Sequence, residues 1–153
     1  MTEMERIQDQ MKRAFEGEAW HGSAVLEVLK GIDATRAAAR PIAAAHSIWE
    51  ITRHMMTWKD VVRRRLAGEQ FEVPDEMDWP PVRDTSEAAW RETVASLKRA
   101  HAELIAAVGS APVGRLDEPL VPGGGTGYVQ LHGVIQHDLY HAGQIAVLEK
   151  AVV

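Results

Sequence analysis

Apolar residues recur at helical spacing in four long stretches of the chain. Ile7, Met11, Ala14 and Phe15 share one face of a segment that Thr2-Glu3-Met4-Glu5 opens and Gly17 stops. A hydroxyl and a carboxylate three residues apart satisfy the free amides of a starting helix, so this is a capping box and the segment a helix. The same device, Ser47-Ile48-Trp49-Glu50, opens a second helix that runs to about Leu66, with Gly68 as its stop. Its buried stripe is Ile48, Ile51, Met55, Trp58 and Val62. A third begins near Thr85-Ser86 and carries Trp90, Val94, Leu97, His101, Leu104 and Val108 at steps of three and four, with Gly109 as its end. The fourth opens at Thr126-Gly127, continues to about Lys150 and turns Leu131, Val134, Ile145 and Leu148 inward.

What lies between is irregular. From Gly17 to Pro41 only Val25–Leu29, closed by Gly31, and a turn capped by Asp33 read as helical. Phe71 to Arg83 holds Pro74, Pro80 and Pro81, which predicts an ordered but non-helical crossing. Ala111 to Gly125 carries Pro119 and Pro122 and three consecutive glycines and reads as a loop. Four amphipathic helices without a strand pattern predict an all-α four-helix bundle, residues 1–153 forming a single domain.

Composition narrows the chemistry. Seventeen Lys and Arg against 22 Asp and Glu leave a net charge of −5, with the two signs interspersed. Nucleic-acid binding needs a basic stripe, and none is present. No apolar run is long enough for a bilayer span, and the first residues are acidic and helix-forming rather than leader-like, so the expectation is a soluble, cytoplasmic protein without membrane contact. The chain has no cysteine. Any metal must therefore rest on His, Asp and Glu, and any thiol chemistry must take its thiol from solution.

The seven histidines are the residues to weigh. His137 and His141, four apart, lie about 40° from each other on the fourth helix, so two imidazoles can reach one ion; a pair of core histidines bonded to carbonyls has the same spacing. His54 stands at the edge of the stripe on the second helix, one turn from Ile51 and from Trp58. Alone it reads as structural, but facing helices are how bundles assemble metal sites. Glu50, one turn before His54, is a possible fourth ligand, although the capping box already explains it. His46 sits at the entrance to the second helix, and His21 could line a pocket from its loop. His101 reads as a core residue and His132 as a surface or subunit-contact residue.

Two blocks, His46-Ser47-Ile48-Trp49-Glu50-Ile51-Thr52-Arg53-His54 and His132-Gly133-Val134-Ile135-Gln136-His137-Asp138-Leu139-Tyr140-His141-Ala142-Gly143-Gln144-Ile145, together with Trp20-His21-Gly22, resemble the DinB/YfiT-like metalloenzyme family over nearly the whole chain. The resemblance implies a four-helix bundle with a long crossover between the second and third helices, and a homodimer. It also implies a site for zinc, nickel or a similar divalent ion on His54, His137 and His141. Characterised relatives use small thiols such as mycothiol or bacillithiol in transfer and isomerisation, while others are known as stress-inducible proteins without an assigned reaction. Three readings follow. The chain is a metal-dependent transferase or hydrolase acting on a small electrophile, a protein that binds metal without chemistry, or a helical interaction module with structural histidines.

Overall fold

The computed structural model describes residues 1–152. Its helices are α1 (Glu3–Phe15), α2 (Val25–Leu29), α3 (Ala34–Ala38), α4 (Ile48–Leu66), α5 (Asp75–Asp78), α6 (Glu87–Ser110) and α7 (Gly127–Ala151), with a 3₁₀ turn at Val113–Leu116. The long helices α1, α4, α6 and α7 are the four that the apolar pattern predicts. Both capping boxes form, Thr2 with Glu5 and Ser47 with Glu50. Gly68 ends α4 as expected: at φ +99° it takes the left-handed conformation that lets Glu69 N–H reach back to the Arg64 carbonyl.

Side-chain pairs fix the order and direction of the helices. Trp49 bonds Thr93, and Lys59 reaches His101, so residue numbers rise together and α4 runs parallel to α6. On the other side His54 meets His137 and Arg65 reaches Gln130, so one number rises as the other falls and α7 is antiparallel to α4. Gln8 bonds the Ile105 carbonyl while Phe15 stacks on His101, which makes α1 antiparallel to α6. Two parallel neighbours need a connection that returns along their whole length. That is the physical origin of the long crossover, residues 67–86, between α4 and α6.

Three local readings are corrected. The crossover is not wholly non-helical, because Asp75–Asp78 makes one turn, α5. The loop after α6 likewise contains the 3₁₀ turn and a single bridge between Pro119 and Thr126. Gly109 does not stop α6, which runs on to Ser110. An added Cβ there would stand 2.7 Å from Gln8 Nε2, so a larger residue would displace the end of the Gln8 side chain.

The interior is two apolar clusters separated by a polar layer. One gathers Phe15, Trp49, Met55, Trp90, Leu97, Ala142 and Ile145, and the other Ile7, Met11, Val62, Leu104, Leu131 and Val134. On three of the long helices a buried polar residue lies between the two clusters: Lys59 on α4, His101 on α6 and Asp138 on α7. Lys59 is 1% and Asp138 1% exposed, and Lys59 Nζ lies 2.6 Å from Asp138 Oδ2, 3.4 Å from His101 Nδ1 and 4.6 Å from the Phe15 ring centre. Periodicity did not single out Lys59 or Asp138, because it treats a charged residue as solvent-facing. Among the described residues, no helix is long and apolar enough to cross a membrane.

Candidate metal centre

α4 and α7, antiparallel and packed together, bring one histidine from the first and an i, i+4 pair from the second to a single point. The Nε2 atoms of His137 and His54 are 2.9 Å apart, and those of His141 and His137 3.1 Å. One potential ligand atom from each of the three lies within 4.8 Å of the other two. Nitrogens that share an ion at about 2.0–2.1 Å stand roughly 3 Å from one another, so the spacing is close to that of a ligand set.

The opposite edge of two of these rings decides their chemistry. His54 Nδ1 lies 2.8 Å from the Asp78 carbonyl oxygen and 3.0 Å from Asp78 Oδ1. Both atoms only accept, so Nδ1 carries the proton and Nε2 keeps a free lone pair. His141 Nδ1 donates in the same way to Gln144 Oε1 at 2.6 Å. An imidazole anchored through one N–H and presenting the other nitrogen is the arrangement that surrounds metal-binding histidines. Imidazole donors without thiolate or carboxylate suit zinc, nickel and neighbouring divalent ions. The residues present therefore fit such an ion.

Aromatic rings close one flank. Trp79, at the end of α5, stacks between His54 and His46, with ring centres 3.8 and 3.6 Å away and planes within 2° and 8° of parallel. Trp58 donates from Nε1 to Asp78 Oδ1 at 2.7 Å and turns an edge toward His137. The crossover thus carries both the anchor and the cover of the site, which reading it as a bare connection missed. The signal available was Asp78-Trp79-Pro80-Pro81, a large indole held in a stiff, proline-bounded segment.

Two clefts reach the triad from different sides. One, of about 700 Å³, is lined by His141, Gln144, Trp79, His46, Tyr140 and Ile51. The other, of about 420 Å³, is lined by His137, Trp58, Val62, Arg65, Val129 and Gln130. Of the other candidates, His46 belongs to the wall of the first cleft, whereas Glu50 is occupied by the cap of α4 and by Arg40. His21 lies exposed in its turn, and His132 is half-buried against Tyr128. His101 belongs to the polar layer of the core, stacked 3.9 Å from Phe15.

Burial pushes His137 down to about 3 and His141 to about 4, with the neighbouring imidazoles adding to the effect at His137, and it pushes His101 down to about 3, with Lys59 adding to the effect there. Unfolded histidine titrates near 6.5, so on acidification the unfolded chain takes up protons first. The stability that comes from keeping these rings neutral is complete above about pH 6.5 and is lost as pH falls toward 3–4. Metal-free protein should therefore lose stability between pH 7 and pH 5, by about 2 kcal/mol for a ring as deeply buried as His101. Urea denaturation across that range measures it, and a flat profile would contradict the burial assigned to these rings.

Comparison with known proteins gives one finding on family: the sequence pattern of the DinB superfamily matches residues 19–145. Neither a curated protein nor a solved structure matches significantly.

Proposed function

Because the chain belongs to the DinB superfamily, we propose that it is a metalloprotein in which His54, His137 and His141 hold one divalent ion, zinc or nickel, for a metal-dependent transfer or hydrolysis on a small electrophilic substrate. The observation that carries this reading is the convergence of three Nε2 atoms from two helices, two of them on rings whose Nδ1–H is already anchored. When bound with only three protein ligands, such an ion leaves coordination positions open and lowers the pKa of a water or thiol placed there.

The chain's own residues supply position and shielding. Trp79 covers His54 and keeps solvent from its face, while Asp78 and Gln144 fix the orientation of two rings. Two separate clefts ending on different histidines suit a reaction with two participants, a small thiol and an electrophile. With no cysteine in the sequence, the thiol is a cosubstrate from solution. Metal analysis of protein purified without a histidine tag, followed by a screen of thiol-dependent transfers with and without added zinc or nickel, tests the reading. Less than a tenth of an equivalent of metal after exposure to both ions would overturn it. Metal retained without turnover would favour the second reading, a metal-binding protein without chemistry.

We further propose that the whole chain is one domain and works as a cytoplasmic homodimer, as the family resemblance and the general preference for two-fold assemblies suggest. Sedimentation at micromolar concentration should give twice the chain mass; a monomer would refute the dimer.

A further inference from the structure

The smaller cleft is apolar between its ends, with Arg65 and Gln130 at one and His137 at the other. Trp58, Val62, Val121, Val129 and Val134 form its walls, and Gly124, Gly125 and Gly133 keep them low. The neighbours of Arg65 on α4 are neutralised: Arg63 pairs with Asp60 and faces Glu103, and Arg64 pairs with Glu69. Arg65 forms no ion pair among the described residues. Its Nε is covered and has no hydrogen-bond partner, and its one side-chain hydrogen bond is a long one, Nη1 to Gln130 Oε1 at 3.4 Å. Gln130 is itself held in place by donating to the Gly125 carbonyl at 3.1 Å. The guanidinium carbon lies 5.8 Å from the centre of the Trp58 ring, and that ring lies 6.3 Å from the ring of His137. Burial lowers the pKa of Arg65, as expected for a half-buried cation without a counter-ion.

A guanidinium with spare donors at one end of an apolar trough matches one kind of molecule, because its fork fits the two oxygens of a carboxylate and valine and tryptophan walls fit a hydrocarbon body. We infer that this cleft selects a small organic carboxylate, seating the anionic end on Arg65 and extending the apolar body past Trp58 to His137. The inference rests on the metal-centre reading for the reaction at the far end, but anion selection depends on Arg65 alone. Arg65 is thus a specificity residue placed one indole ring away from the triad.

The probe is hexanoate, compared with hexanamide, which has the same body without charge, and with acetate, which has the charge without the body. Binding to metal-free protein is followed by nuclear magnetic resonance of the Arg65 Nε–H and the Trp58 indole N–H. Metal-free protein is used because a bound ion would itself attract the carboxylate. Hexanoate should shift both signals and bind at least tenfold more tightly than either hexanamide or acetate. Arg65→Gln should remove that preference, and Arg65→Lys should restore part of it, since a point charge replaces the fork only in part. Equal binding of hexanoate and hexanamide to the wild type, or an unchanged preference in Arg65→Gln protein that still binds zinc, would overturn the inference. If zinc does not bind but hexanoate still selects Arg65, the metal reading fails and the anion site stands. If zinc binds and the charge makes no difference, the reverse holds.

Discussion

Replacing His141 by Ala should weaken zinc binding on the order of a hundred- to a thousandfold at pH 7, whereas replacing His101 by Ala should leave it within about threefold. The first change removes one of three converging nitrogens together with the Nδ1–Gln144 anchor that orients it. Structural zinc sites are worth roughly 10–16 kcal/mol over four ligands, so one ligand carries about 3 kcal/mol or more. His101 lies in the core layer with Lys59 and Phe15, outside the cluster formed by His54, His137 and His141. Its loss should appear as lower stability from a core cavity instead. Competition with a chelator measures both variants. Retention of the ion by His141→Ala, or its loss in His101→Ala, would place the site elsewhere than between α4 and α7. Acidification should empty the site, with more than one proton taken up per ion released, because the nitrogens that bind the ion also bind protons.

The second large effect concerns folding. Lys59→Met should destabilise the metal-free protein by about 3–5 kcal/mol, since it leaves the Asp138 carboxylate without a counter-ion at 1% exposure. Burial already raises the Asp138 pKa, and Lys59 is what opposes that shift. The double variant Lys59→Met/Asp138→Leu should recover most of the loss, because a buried pair exchanged for apolar residues of similar volume is often neutral or better. Against a typical total of about 5–15 kcal/mol, the single change would remove a large part of the stability. Urea denaturation of the two single variants and the double gives the coupling directly. A single variant within 1 kcal/mol of wild type would show that the layer between the two apolar clusters is hydrated rather than sealed.

The layer also marks a limit of reading the sequence. Thr2-Glu5 and Ser47-Glu50 could be recognised as helix starts because a capping box is local: the groups that satisfy the free amides are three residues apart. The four apolar stripes, and with them the all-α architecture, follow from the 3.6-residue period that any helix must obey. The pairing of His137 with His141 is legible for the same reason, one turn of one helix. Lys59 was not legible, since nothing near it in the chain says that Asp138, 79 residues on, will meet it in the core.

What the sequence determined, then, was everything set within about one turn of helix: where α1, α4, α6 and α7 begin, which faces they bury, and which histidines share an edge. What only the tertiary structure decided was the company those residues keep. Parallel packing of α4 on α6 forces residues 67–86 to run back along the bundle, and that return lays Asp78 and Trp79 on His54. It also follows from packing that Arg65 faces a trough without a carboxylate while Arg63 and Arg64, beside it on the same helix, find acids. The physical reason is range. Caps and periodicity act through hydrogen bonds and burial between near neighbours in sequence, whereas a ligand set, an anchor or a missing counter-ion depends on groups brought together only when the whole core closes.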